Sequence, residues 1–269
     1  MNNEDDYFKE FRVDYYKNAD FDYIGEKVRA LFNRYKRLKD DKKKNRIVLD
    51  IYVHYIQSLE IFFINSLAIS KSINSFPLAL FISSKEIKKE VEGNFLRHSR
   101  FLDWLFTEVI LATIQDKEEK IKRNETYSNI IKECAKDYLD NYELLNAYKH
   151  GFRINAEFRK YILSLSTKDK NNYKIGEYDS TISYLSREKN NNIPIISENQ
   201  IKFNINRVFG KCIFIYVLLN NIQYTILAMY GEKKKSYKRA DFSIIDNESW
   251  MKSFGDFSLK RPLFRQREK

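Results

Sequence analysis

The sequence predicts a mainly α protein, a helical bundle of about five long helices with a small β insertion between the fourth and the fifth. Three observations predict it. The 269 residues include only 3 prolines and 7 glycines, so the punctuation that marks linkers and strand-rich folds is scarce. Several long stretches repeat apolar residues at helical spacing. Between about 158 and 200 that pattern gives way to short β-branched and aromatic runs separated by Asn, Asp, Lys and Gly. With 20 Phe and 19 Tyr there is ample material for a core, so a charged fraction of 32% does not imply disorder.

The chain divides into an acidic segment at 1–22, a bundle over 23–230 and a basic tail at 231–269. The first helix is expected over Tyr23 to Asp40, where Ile24, Val28, Leu31, Phe32, Tyr35 and Leu38 form the buried stripe and basic residues the outer face. The second, about Arg46 to Ser72, is apolar enough to raise a membrane span. Asp50, His54, Gln57, Glu60 and Asn65 interrupt it, and a charge at a bilayer centre costs several kcal/mol, so a buried bundle helix is the better reading. Asp50, His54 and Gln57 share one face at i, i+4 and i+7, facing solvent or a neighbouring helix.

A third helical stretch follows Pro77, from about Ser84 to Asp116, and holds Arg97-His98-Ser99-Arg100. Here Arg100 or His98 is expected to pair with Asp103, with phosphate binding by Arg97 and Arg100 as the functional alternative. The fourth helix is expected from about Thr126 to Phe152, with Gly151 as its left-handed cap. The fifth, about Asn204 to Tyr230, is apolar on every side, which places it at the centre of the bundle, and Gly231 ends it.

A formal charge of +11 makes an acidic partner plausible, although Asn, Lys and Ile enrichment of the kind AT-rich codon usage produces raises the lysine count without any ligand. The basic residues cluster between Arg29 and Arg46 and again near the C-terminus, where Lys233, Lys234 and Lys235 are the densest phosphate-binding candidates. Cys134 and Cys212 stand apart and without CxxC or His spacing, so neither a disulfide framework nor a metal site is expected, and no cofactor motif is present. The N-terminus, Met-Asn-Asn-Glu-Asp-Asp, lacks the features of a secretion signal, which predicts a cytoplasmic protein without membrane association.

The best functional candidate is Asn146-Ala147-Tyr148-Lys149-His150-Gly151-Phe152-Arg153. Along a continuous helix, Glu143, Asn146, His150 and Arg153 would share one face. A histidine titrating near neutrality can move a proton, the Asn146 amide can fix its tautomer, and Lys149 and Arg153 can hold a phosphate as its charge grows. Helix capping alone would also select a His-Gly end with a lysine beside it, because cations favour the negative end of the dipole.

Long helices with a polar-plus-histidine run near the end of a late helix resemble the HEPN superfamily, over about Ile47 to Arg153 and with Asn204 to Tyr230 as an added helix. The resemblance implies a dimeric, metal-independent ribonuclease or RNA-associated effector of a toxin or phage-defence system. Of the family's motif only His150 carries over. The places where its arginine would fall hold Glu143, Leu144 and Leu145, and Arg153 lies beyond the histidine. Two function classes therefore stay open: RNA cleavage with His150 as general acid and base, or a non-catalytic helical module that binds RNA, a nucleotide or a protein partner.

Overall fold

The computed structural model describes residues 2–97, 99–112, 114–149, 154–166, 172–190, 193–232 and 257–265. Nine α-helices among them are α1 (Asn2–Asn18), α2 (Asp22–Arg37), α3 (Asp41–Ile69), α4 (Phe76–Leu80), α5 (Ser84–Val91), α6 (Ser99–Trp104), α7 (Lys117–Asn141), α8 (Glu143–Lys149) and α9 (Ile205–Met229). Four strands, β1 (Ile154–Ser166), β2 (Asn172–Asn190), β3 (Ile193–Phe203) and β4 (Phe257–Arg265), form one antiparallel sheet in that order. The mainly α bundle with a β insertion ahead of its last long helix is the observed architecture.

The chain divides into two compact units. The first comprises Met1–Glu26, Gln57–Leu139 and Cys212–Ile244; the second comprises Lys27–Ile56, Asp140–Lys211 and Ile245–Lys269.

In the first unit the acidic segment is helical, because Val13 and Tyr16 recur one turn apart among its charges and are both buried. Arg12 fastens α1 to the chain just past α3: its guanidinium donates to the Lys71 carbonyl at 3.2 Å and lies 4.6 Å from the centroid of the Phe76 ring. Tyr15 adds a hydroxyl bond to Asn65 Oδ1 at 3.2 Å. The core around them is aromatic and packed edge to face, with Phe63 4.7 Å from Phe95 and 5.4 Å from Tyr138, and Tyr127 5.3 Å from Phe214. The expected single helix over 84–116 is broken instead. Its α-helical pieces alternate with π-helical turns at Glu92–Arg97 and Leu105–Ile110, the second closed by the Leu111 N–H on the Phe106 carbonyl. Each wider turn inserts a residue and changes the direction of the following side chains, and Phe95, Phe106, Val109 and Ile110 are all buried.

In the second unit β2 and β3 bury alternate residues where they meet the core, with Thr181 buried as well. Tyr178, Ser180, Ile182 and Tyr184 are buried on β2, as are Asn199, Ile201 and Phe203 on β3, with Ile182 opposite Ile201 and Ser180 opposite Phe203. Where only short runs were expected between about 158 and 200, Asn172–Asn190 is one strand of 19 residues. A single residue, Asn204, connects β3 to α9 and caps the helix, accepting from the N–H groups of Asn206 and Arg207. Asp179 of β2 accepts the Ile205 N–H at 2.9 Å, so the sheet satisfies another open donor of the same helix. Part of the segment read as a tail is structured: Phe257–Arg265 pairs with β3, setting Leu259 opposite Gln200.

By length and composition α3 and α9 could each cross a membrane, and 67% of each apolar stretch is buried within the protein. Two buried polar side chains of α9 have partners there. Gln223 donates to the carbonyls of Tyr16 and Ala19, the second at 2.8 Å, and Thr225 donates to the Val109 carbonyl at 2.7 Å. Gly231 ends α9 as expected, in a left-handed conformation (φ 74°), with the Glu232 N–H on the Leu227 carbonyl and its own N–H on that of Ala228.

Gly25 of α2 meets the face of Tyr216, whose hydroxyl donates to Asp22 Oδ1 at 3.2 Å. A Cβ at position 25 would sit 2.9 Å from the root of that ring, which the hydroxyl bond holds at its other end. Gly25→Ala gains about 1 kcal/mol of helix propensity. The overpacking costs about 1–3 kcal/mol. The variant is therefore expected to unfold at a lower temperature than the wild type in a calorimetric scan, and an unchanged or raised Tm would contradict this packing.

Candidate functional site

In the second unit α8 reaches the N-terminal half of α3 through Tyr148, at an Asp50 that also feels the charges of Lys27 and Arg34 on α2. α8 is short because a turn at Tyr142 separates it from α7, so the expected continuous helix from 126 to 152 is two helices. Leu144, Leu145 and Ala147 are buried and seat it, and α8 packs on β2. Of the i, i+3 ladder from Glu143, the described part is helical through Lys149. Asn146 and Lys149 belong to α8 by their backbone, while their side chains, and all of His150, Gly151, Phe152 and Arg153, lie outside the described residues.

What the helix does present is Tyr148, 39% exposed, whose hydroxyl donates to Asp50 Oδ1 of α3 at 3.3 Å. Asp50 is half-buried, and burial raises its carboxyl above the ordinary carboxylate value; the Tyr148 bond and the charges of Lys27 and Arg34 on α2 oppose that shift. The Tyr148 hydroxyl is raised in turn, first by burial and then by the Asp50 charge and the bond to it. The result is a carboxylate bonded to the end of α8 and subject to the charges of two cations seven residues apart on one face of α2. His54, expected on the Asp50 face, is buried, Gln57 is exposed, and the stripe is not a uniform solvent face. Nearby in the same unit, Lys211 of α9 is fully buried with its ammonium 5.7 Å from the centre of the Tyr55 ring.

The remaining expected phosphate ligands fall elsewhere. Arg97 and Arg100 are exposed in the first unit, and the Arg97 guanidinium pairs with Glu92. Asp103, expected to pair with Arg100 or His98, accepts from Asn124 of α7 at 3.3 Å, and His98 lies outside the described residues. Lys233, Lys234 and Lys235 lie outside them too. Among the described residues no group of three His, Cys, Asp or Glu side chains could hold a metal ion. Both cysteines are buried, and burial raises the Cys212 thiol far above its usual range.

The Asp50–Tyr148 bond and its two cations were not foreseen. The i, i+7 pair Lys27 and Arg34 is visible in the sequence, but nothing in the spacing says that it meets α8. No protein-family model, curated protein or solved structure matches the chain.

Because Asp50 has a raised folded-state value, its burial is least unfavourable when protonated. That contribution is complete below the ordinary value of 3.8 and is lost as pH rises through the folded value. Asp50→Asn, which keeps an acceptor for Tyr148, is therefore expected to melt above the wild type at pH 7, with the gap closing as pH falls toward 3.8. A gap independent of pH would mean that the carboxyl does not titrate in this environment.

Proposed function

We propose that the end of α8 is a phosphate-facing site of a HEPN-like, metal-independent RNA-cleaving protein, in which Arg34 of α2 stands in for the arginine the motif lacks. The observation that carries this reading is the bond from Tyr148, two residues before His150 in the sequence, to Asp50, a carboxylate that feels the charges of Lys27 and Arg34. In the proposed reaction the 2′-hydroxyl of one nucleotide attacks the adjacent phosphorus while His150 takes its proton. The bond to the 5′-oxygen breaks, and that oxygen receives a proton from the imidazolium. Arg34, Lys149 and Arg153 stabilise the charge that accumulates on the phosphate, and Asn146 holds the imidazole tautomer.

A second reading has its own support. Leu144 and Leu145, which occupy two of the three places for the motif's arginine, are buried and seat α8 in the core. A chain that uses those positions for packing suits a non-catalytic module that binds RNA, a nucleotide or a protein partner on the same surface.

Incubation of purified protein with a 5′-labelled RNA in excess EDTA separates the two. Cleavage is expected in the wild type, with a fall of about 10²–10⁴-fold in His150→Ala and about 10²-fold in Arg34→Ala. Both variants should keep the wild-type circular dichroism spectrum. Intact RNA with the wild type would leave the binding-module reading in its place, whereas cleavage unaffected by His150→Ala would remove His150 from the mechanism.

A further inference from the structure

We propose that the corner formed by the end of α2 and the start of α3, residues 29–46, is a docking surface for single-stranded RNA; the choice of RNA rests on the function proposed above. The corner carries nine basic residues against two acidic ones. Those two acids sit at the first turn of α3, where Asp40 Oδ1 accepts the Lys43 N–H at 3.1 Å and Asp41 opens the helix, so both complement the helix dipole. Lys36, Arg37, Lys39, Lys42, Lys43 and Arg46 are exposed, and among the described residues none of them has a carboxylate at ion-pair distance.

The corner also holds aromatic rings on a rigid base. Tyr35 lies nearly parallel to Phe32 (6.0 Å, 17°), which stacks on Phe209 of α9 (4.0 Å, 9°). The Lys36 ammonium lies 4.5 Å from the Phe32 ring centre, and that of Lys44 lies 5.9 Å from the Tyr35 ring centre. Burial, then the Asp179 charge, pushes the Tyr35 hydroxyl up to about 12, so it stays a neutral donor at physiological pH. Exposed cations around a half-buried tyrosine, with Lys44 near its ring, combine the two requirements of single-strand binding, cations that follow the phosphates and a ring that can meet a base.

A bilayer is a poorer fit. Among the described residues no large apolar side chain between 27 and 46 is exposed, and an interfacial helix needs such groups to insert. The surface also leads to the proposed site, since Arg34 acts on Asp50 and Asp50 holds Tyr148.

The test is fluorescence anisotropy of the full-length protein with a labelled 2′-O-methyl U12 strand, which lacks the attacking hydroxyl and stays intact, over a series of salt concentrations. The corner variant is Lys36→Gln/Arg37→Gln/Lys42→Gln/Lys43→Gln. A control of equal charge, Lys85→Gln/Lys89→Gln/Lys117→Gln/Lys122→Gln, removes four lysines from the first unit. The corner variant is expected to bind about tenfold or more weakly, with a log–log salt slope shallower by about 3. The control should stay within about twofold of wild type. Equal losses in both variants, an unchanged corner variant, or wild-type protein that ignores the strand but binds polyglutamate or phosphatidylserine vesicles would overturn the proposal. If the quadruple variant fails to fold, Lys42→Gln/Lys43→Gln, on the exposed first turn of α3, carries the same test with about half the slope change. Cleavage of unmodified U12 is read in parallel. Tight corner-dependent binding without cleavage removes the catalytic reading alone, whereas cleavage that survives the corner changes together with unchanged binding removes the docking surface alone.

Discussion

Burial of most of α9 is the constraint from which much of the rest follows. Polar groups on its buried positions need partners inside the protein, since an unbonded buried group costs about 1–3 kcal/mol. In the first unit those partners are backbone carbonyls at the end of α1 and of the second π-helical turn, reached by Gln223 and Thr225. In the second unit the partners are Asp179 for the first open N–H and the Tyr55 ring near the Lys211 ammonium. Even the acidic N-terminal helix, whose charges alone would leave it in solvent, is held where its carbonyls serve as acceptors for α9.

The same logic explains why the corner of α2 and α3 is so basic on one side and so ordered on the other. Phe209 reaches from α9 to stack on Phe32, and Phe32 aligns Tyr35. With the inner face of α2 committed to rings, its cations are left on the surface, where Asp50 is the acid on which Lys27 and Arg34 act. That carboxylate is half-buried against its own preference, and the Tyr148 hydroxyl that opposes its desolvation also joins α8 to α3.

Helical periodicity made α2, α3 and α9 legible in advance, and strand-like composition located the sheet. The misses share a cause. α1 was hidden by its acids because Val13 and Tyr16 are a short apolar signal, and its stability comes from Arg12, Tyr15 and Phe76, contacts that cross the chain. The breaks at 92–97, 105–110 and Tyr142 lie inside sequences that read as good helix, since a π-helical turn or a one-residue turn answers to packing and not to propensity. β4 escaped notice because its partner β3 lies on the far side of α9 in the sequence.

By itself the sequence determined the fold class, the mostly apolar last helix, the glycine that ends it and the concentration of cations between Arg29 and Arg46. These are local properties, carried by side-chain period, backbone freedom and charge. Which cations face which end of which helix was decided only by tertiary structure. The Asp50–Tyr148 bond spans 98 residues and exists because α8 buries Leu144, Leu145 and Ala147, leaving Tyr148 at the surface within reach of α3. No spacing rule reaches that far along a chain, because such a contact depends on how whole elements pack.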